Sequence, residues 1–118
     1  VKGILGTSSF DAPGTALAID ELGLKGNVFT AGTGMPAANA QILKDGSVST
    51  LTLWDPANAG YAMASLATKI LNGETIEDGV NLGVEGYESM HFSSGSTKVL
   101  EGTGWLKITK DNVDSLGF

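Results

Sequence analysis

The sequence predicts an α/β protein built on a parallel sheet with flanking helices and short β segments near its carboxyl end. Two observations carry the first part of this prediction. Short apolar runs alternate with helical segments over the first 72 residues, which is the order typical of parallel sheets. Single glycines and prolines stand at the ends of these segments, where turns and helix caps use them. Beyond residue 73 short β-prone segments replace the helical pattern.

The first part of the chain predicts two strand–helix pairs. Pro13 follows Asp11 closely, and proline in a first turn favours a helix start because its ring supplies the helical φ. Gly23 and Gly46 follow the two helical segments, where a glycine can take the left-handed conformation that ends a helix. The predicted strands are 3–6 and 28–31, and the predicted helices are 13–22 and 36–44.

A third strand and the strongest helix follow. Residues 47–54 alternate apolar and polar side chains, which predicts a strand with unequal faces. Asp55 and Pro56 end this strand. Residues 58–72 then carry apolar residues at helical spacing, which predicts one continuous apolar stripe. The stripe consists of Ala59, Ala62, Met63, Leu66, Ala67 and Ile70.

The remaining segments predict short strands and hairpins near 80–84, 87–92, 97–101 and 105–109. The whole pattern is that of a Rossmann-like parallel sheet with flanking helices. No internal repeat of fixed period and no long linker divides the chain.

Composition excludes several classes of function. Seven lysines without any arginine oppose thirteen acidic residues, so the net charge is −6. Such a chain lacks the basic patch and the guanidinium groups that nucleic-acid binding uses, and we expect no nucleic-acid partner. With no cysteine and one histidine, we also expect no metal site and no cofactor. No apolar run approaches the roughly 18 residues of a membrane helix.

Catalytic motifs are weak. The Gly-Thr-Gly segments at 32–34 and 102–104 lack the further glycine of a dinucleotide-binding loop. The chain has no Gly-x-Ser-x-Gly motif, and His91 lies far in sequence from the candidate serines of the first loop. We therefore expect no catalytic residues and no enzymatic activity.

A binding site is better supported, because ligands of parallel α/β sheets bind outside the carboxyl ends of the strands. The residues predicted there are Thr7, Ser8 and Ser9 after the first strand, Thr33 and Gly34 after the second, and Trp54 and Asp55 after the third. Small hydroxyls, one indole and one carboxylate suit a polyol, because an indole stacks on the C–H face of a sugar ring. Each residue also has a structural alternative: serine and threonine as turn or cap residues, Trp54 as a packing residue, and Asp55 as a helix cap.

Several segments resemble the type I periplasmic sugar-binding proteins of ABC importers, in particular the branch of rhamnose and autoinducer-2 binders. They are residues 4–14, 21–26, 43–48, 53–61 with Leu-Trp-Asp-Pro, and 110–118 with Asp-Asn-Val-Asp. The resemblance covers essentially the whole chain, but it matches only the carboxy-terminal part of a family member.

This resemblance implies a fold of two lobes with the ligand between them. Residues 1–53 and about 80–118 would belong to the carboxy-terminal lobe, and about 54–79 would cross to an amino-terminal lobe that this sequence lacks. Pro13 matches a ligand-contacting Pro-x-Ala segment, whereas Thr15 stands where that segment has alanine. Trp54 falls where ribose binders place a ligand-bonding residue. The predicted ligand-binding residues are therefore Ser8, Ser9, Pro13, Thr15, Thr33, Trp54 and Asp55.

The function implied is that of the solute-binding component of a bacterial ABC transporter, of which this chain carries one wall of the ligand cleft. Its partners would be a sugar or sugar-like signal and a membrane permease, and its location the periplasm or a lipid anchor outside the cytoplasmic membrane. The apolar stripe of 58–72 would lose its covering lobe, which predicts a homodimer through this helix. The alternative is the ligand-sensing domain of a sugar-responsive transcription regulator.

Overall fold

A computed structural model describes all 118 residues. The strands are β1 Gly3–Leu5, β2 Phe29–Thr33, β3 Thr50–Trp54, β4 His91–Phe92, β5 Leu100–Glu101 and β6 Trp105–Ile108. The helices are α1 Asp11–Glu21, α2 Pro36–Lys44 and α3 Pro56–Leu71, followed by a short 3-10 helix, Val113–Ser115. The predicted α/β class, with a largely parallel sheet and flanking helices, is confirmed.

The chain divides into two compact units. The first unit contains 1–53 and 106–118, and the second contains 54–105. The chain returns to the first unit at Leu106. That residues 1–53 and about 80–118 form one lobe stays a prediction. That residues 54–79 belong with a further lobe stays a prediction.

The main sheet has the strand order β1-β2-β3-β6. Strands β1, β2 and β3 are parallel neighbours, with Leu5 opposite Ala31 and Thr33 opposite Thr52. The carboxyl ends of these three strands therefore lie at one edge of the sheet, as the alternation of strands and helices predicted.

The first unit has a continuous apolar core. Helix α1 contacts both β2 and α2, and Ala12 packs closely enough on Gly32 that a Cβ there would lie 3.3 Å from the alanine Cβ. The small residues thus let the helix approach the sheet backbone. The buried core residues are Ala12, Ala16, Leu43, Val48, Leu51, Leu53, Ile108 and Val113.

The second unit is built around α3. Only three residues form its buried core, namely Ala62, Leu82 and Met90. Along the predicted stripe of α3, Met63 and Ile70 remain 68% and 56% exposed. The stripe is therefore only partly covered, since Ala62 and Leu66 pack in this small core. None of the helices combines the length and apolar character that crossing a membrane requires.

Several predicted boundaries differ from the structure. Helix α1 begins at Asp11 rather than Pro13, because the Asp11 carboxylate accepts hydrogen bonds from two N–H groups of the preceding loop. Strand β2 extends to Thr33, and β3 begins only at Thr50. The segment before β3 still belongs to the turn after α2, since the Val48 N–H donates to the Ile42 carbonyl.

The predicted strand at 80–84 is wrong, because Val80 forms only an isolated bridge with Met90. Gly79, Gly83 and Gly86 all have positive φ, so the backbone turns repeatedly where a strand would need extended residues. The strands predicted near 87–92 and 97–101 shrink to the two-residue strands β4 and β5, which pair antiparallel.

Candidate functional site

The loop after β1 presents hydroxyl groups. Asp11 Oδ2 accepts hydrogen bonds from the N–H groups of Thr7 and Ser8, both at 2.9 Å. Ser8 Oγ accepts weakly from the Phe10 N–H at 3.4 Å. Because Asp11 occupies these two backbone donors, the loop offers a ligand mainly the exposed side chains of Ser8 and Ser9.

Pro13 and Thr15 lie near the start of α1 and are both half-buried. Pro13 has no N–H to donate, and its position in the first helical turn needs none. The structure places the two residues on the helix that directly follows the serine loop, as the resemblance implied.

The loop after β2 is fixed by a buried asparagine that sequence reasoning missed. Asn39, which is only 5% exposed, donates from Nδ2 to the Met35 carbonyl at 2.9 Å. A Cβ on Gly34 would lie 2.9 Å from that nitrogen, so the close contact requires glycine. Thr33 ends β2 just before this loop. Because β1 and β2 are parallel, Thr33 lies at the sheet edge that Ser8 and Ser9 follow.

Asp55 is the N-cap of α3. Its Oδ1 accepts hydrogen bonds from the N–H groups of Ala57 at 2.8 Å and Asn58 at 3.3 Å. Pro56 occupies the first helical position, where its missing N–H costs nothing. Asp55 is therefore a helix cap, which was the structural alternative for this residue. Its Oδ2 takes no part in the cap and can still accept a hydrogen bond.

Trp54 belongs to an aromatic cluster in the second unit. Its ring centroid lies 5.3 Å from that of Trp105, and the two rings are nearly perpendicular at 85°. A cavity of about 130 Å³ adjoins them, which we call the aromatic pocket; its lining residues are Trp54, Tyr87, Gly102, Gly104 and Trp105. Trp54 remains 43% exposed and Trp105 59% exposed. Trp54 thus packs on another indole and also keeps surface for a ligand.

Sequence reasoning missed Trp105 and Tyr87. Trp54 ends β3 and Trp105 begins β6, and these strands are neighbours in the main sheet. The two tryptophans are the only ones in the chain. That rarity was the one available signal, since nothing in the sequence order pairs strands that lie some fifty residues apart.

The second unit also contains an exposed row of polar side chains. Ser89 Oγ lies 3.1 Å from His91 Nε2, and His91 Nδ1 lies 3.0 Å from Asp78 Oδ2. An ionised carboxylate only accepts, so Nδ1 donates to Asp78. Asp78 Oδ1 also accepts from the Phe92 N–H at 2.7 Å.

These bonds tie the loop around Asp78 to strand β4. The hydrogen bond from His91, followed by that from the Phe92 N–H, holds the pKa of Asp78 below its ordinary value. No group of three or more histidine, cysteine, aspartate or glutamate side chains is arranged to hold a metal ion. The polar groups described so far can hydrogen-bond a ligand or brace loops.

A family model described as the periplasmic binding protein domain matches residues 1–75. The match spans the first unit up to β3 together with all of α3. The chain belongs to the periplasmic binding protein domain family. The resemblance read from the sequence is thereby confirmed.

Solved structures of this family share the fold. The chain aligns over its full length with a sugar ABC transporter protein from Actinomyces odontolyticus, at 26% identity and a TM-score of 0.78. It aligns equally completely with LsrB from Clostridium saccharobutylicum in complex with AI-2, at 23% identity and a TM-score of 0.69. GanP, a glucose-galactose binding protein from Geobacillus stearothermophilus, matches 95% of the chain at 18% identity and a TM-score of 0.69.

The chain spans only part of these proteins, covering 38% of the first, 40% of the second and 32% of the third. No curated protein matches the sequence. Membership of the periplasmic binding protein family implies a location outside the cytoplasm.

Proposed function

We propose that this chain is part of the solute-binding component of a bacterial ABC transporter and that its ligand is a sugar or sugar-like signal. The observation that carries the proposal is the match of the whole of this chain to part of a sugar ABC transporter protein, at 26% identity. The family match over residues 1–75 supports it. Hydroxyl groups follow the strand ends of the first unit, and the second unit carries exposed indoles; both are groups that bind sugars.

Each predicted site residue has a role in this proposal. Ser8, Ser9 and Thr33 exchange hydrogen bonds with ligand hydroxyls through side chains that are exposed or half-buried. Trp54 offers an indole surface, and Asp55 accepts through Oδ2 while Oδ1 caps α3. Pro13 and Thr15 shape the start of α1 beside the serine loop.

The partners and location follow from the same assignment. The closed, ligand-bound form would be presented to a membrane permease, in the periplasm or from a lipid anchor outside the cytoplasmic membrane. We also propose that the protein carries out no covalent chemistry. The Ser89–His91–Asp78 row has the order of a hydrolytic triad, but its histidine and aspartate side chains are each 61% exposed. Water therefore screens the imidazole, and we assign the row to bracing the loop.

A thermal-shift panel tests this function on the full-length protein, with rhamnose, ribose, xylose and autoinducer-2 as ligands and the 118-residue chain measured beside it. Ligand that binds only the native state raises the midpoint by a free energy of RT ln(1 + [L]/Kd). We expect a shift with one ligand in the full-length protein and at most a small one in the 118-residue chain, where much of the enclosure is absent. No shift with any ligand would refute the proposal and favour a sensor domain instead.

We further propose that the 118-residue chain alone forms a homodimer through α3. Met63 and Ile70 of the predicted stripe are seven residues apart on one face of this helix and are both more than half exposed. A second copy packed on this face would cover them. Light scattering should give twice the monomer mass for the wild-type chain, and Met63→Glu should shift it to monomer. A wild-type monomer with an intact far-UV spectrum would contradict the dimer.

A further inference from the structure

Helix α2 begins without a local cap. Its N-cap residue is Met35, whose side chain makes no capping hydrogen bond, and Pro36 follows at the first helical position without an N–H. Helix α3 also begins with proline, but there the Asp55 carboxylate accepts from two N–H groups of the first turn. Because the first N–H groups of a helix have no partner within it, α2 needs an acceptor from elsewhere in the chain.

Residues 109–118, which we call the strap, supply this acceptor. The Ala37 N–H donates to the Phe118 carbonyl at 3.2 Å. This bond joins the first turn of α2 to a residue far away in sequence. We call it the tertiary cap of α2. It replaces the side-chain oxygen that serine, threonine, aspartate or asparagine supplies at other helix starts.

The strap is held on α2 and on the core of the first unit. Lys44, the last residue of α2, places Nζ 2.6 Å from Asp114 Oδ1. Val113 is buried in the apolar core, and the side chains of Leu116 and Phe118 pack against it. A surface ion pair contributes little, so the apolar side chains are the main anchors. The Phe118 carbonyl therefore reaches Ala37 from a backbone that is already fixed.

Asn112 sets the direction in which the strap leaves β6. Its Oδ1 accepts from the Thr109 N–H at 2.8 Å, and its Nδ2 donates to the Lys107 carbonyl at 2.9 Å. Its own carbonyl accepts from the Ser115 hydroxyl at 2.7 Å. One side chain thus ties the end of β6 to the turn before the short 3-10 helix.

The tertiary cap lies next to the candidate ligand site. Thr33 ends β2, and only Gly34 and Met35 separate it from α2. Asn39 of α2 donates to the Met35 carbonyl, and Gly34 fits closely against the same asparagine. Because Asn39 belongs to α2, a displaced first turn of this helix would displace the loop that follows Thr33.

We propose that the strap is a positioning element of the ligand site. The tertiary cap fixes the first turn of α2, and through Asn39 it fixes the loop beside Thr33. This inference rests on the proposed function and adds to it residues that do not touch the ligand. A ligand site that is ordered before binding loses less entropy when the ligand binds, so loosening the strap weakens binding. Leu116 and Phe118 are thus positioning residues.

Phe118→Ala tests the proposal in the full-length protein. Rhamnose, ribose, xylose and autoinducer-2 are titrated by calorimetry, and the Kd is compared for the one that binds the wild type. Phe118→Ala removes an anchor of the strap and should raise this Kd about fivefold, as expected for the loss of one hydrogen bond. Phe118→Leu keeps an apolar side chain against the core and should restore most of the affinity.

Val48→Ala is the matched control. Val48 is buried in the core against which Phe118 packs, but it lies in the turn after α2, where its N–H donates to the Ile42 carbonyl. This turn is at the opposite end of α2 from the tertiary cap. Val48→Ala should lower the thermal midpoint at least as much as Phe118→Ala and should leave the Kd unchanged.

Hydrogen exchange followed by mass spectrometry tests the tertiary cap itself. In Phe118→Ala, a peptide covering 34–40 should exchange faster than in the wild type, because the Ala37 N–H loses its acceptor. A peptide covering 56–60 should exchange as in the wild type, since Asp55 caps α3 locally. Equal protection of 34–40 in the two proteins would overturn the cap.

The affinities separate positioning from general stability. An unchanged Kd in folded Phe118→Ala would overturn the proposal, even with faster exchange, and the transporter assignment would stand. Equal rises in Kd for Phe118→Ala and Val48→Ala would also overturn it, because lost stability would then explain both. If Phe118→Ala does not fold, Leu116→Ala loosens the same strap and should give the same rise. A wild-type protein that binds none of the four ligands would overturn both this inference and the proposed function.

Discussion

The two units of this chain are stabilised in different ways. The first unit encloses eight buried apolar residues in one cluster, with α1 and α2 packed beside parallel strands. The second unit buries only three. In both units carboxylates accept hydrogen bonds from backbone N–H groups, as at Asp11 in the first and at Asp55 and Asp78 in the second. The difference between the units therefore lies in the number of apolar residues that each buries.

The largest expected effect is the loss of a core leucine from the first unit. Leu51 is fully buried within the eight-residue cluster, so Leu51→Ala should lower the free energy of unfolding by about 3–4 kcal/mol. Leu82→Ala, in the small cluster of the second unit, should cost only about 2 kcal/mol because neighbours can relax towards solvent. Urea denaturation followed by circular dichroism measures both, and equal losses would break the comparison.

A gain in stability is expected at Thr30 of the first unit. Its hydroxyl is buried without a hydrogen-bond partner, and an unpaired buried polar group is destabilising. Thr30→Val replaces the hydroxyl with a methyl group of similar size and should raise the free energy of unfolding by about 1–2 kcal/mol. The matched control is Thr52→Val at an exposed strand position, which should gain less. No gain at Thr30 would show that its oxygen is hydrated.

Loss of the α3 cap should change the free energy of unfolding by a similar or slightly smaller amount than the Thr30 substitution. Asp55→Ala removes the acceptor of two N–H groups and should destabilise the second unit by about 1 kcal/mol. Asp55→Asn keeps a capping oxygen and should lose much less. Tryptophan fluorescence during urea denaturation measures the loss, because Trp54 directly precedes Asp55. Equal losses in the two variants would mean that charge rather than capping dominates.

The smallest effect is a pH dependence, to which one carboxyl of each unit contributes. Hydrogen bonds from His91 and Phe92 lower the pKa of Asp78, and bonds from Ser47, supported by Lys25, lower the pKa of Asp45. A carboxyl with a depressed folded pKa stabilises the protein above its unfolded value of 3.8, and this contribution is lost as the pH falls through the folded pKa.

Comparing unfolding at about pH 6 and about pH 3 in the wild type, Asp78→Asn and Asp45→Asn isolates these contributions. Each variant should be less stable than the wild type at the higher pH and should show a smaller loss on acidification. Urea denaturation followed by circular dichroism measures these losses. An equal loss on acidification in the wild type and in both variants would contradict the lowered pKa values of Asp78 and Asp45.

Local signals made the first unit predictable. Helix α2 runs from Pro36 to Lys44 as predicted, because proline at its start and Gly46 with a φ of +80° after its end act within a few residues. The α/β class was predicted from the same glycines and prolines, which separate the strand and helix segments. The strand expected at 80–84 failed because apolar alternation indicates a strand only where a partner is available, and the glycines there turn the chain.

The candidate site was only partly predictable. Residues that follow strand ends, such as Ser8 and Thr33, could be found because parallel strands end at one edge. The Trp54–Trp105 contact could not, since it depends on the pairing of distant strands. The row from Asp78 to His91 was missed for the same reason: its bonds join residues thirteen apart across a turn that the sequence pattern does not define.

The position of β1 at the end of the strand order has a practical consequence. One side of this strand carries unpaired backbone groups, and exposed Leu5 and Phe29 lie on it and on its neighbour. An open apolar edge is a template for intermolecular strand addition. Concentrated solutions of this chain should slowly form β-rich aggregates, and a lysine introduced at Leu5 should delay them.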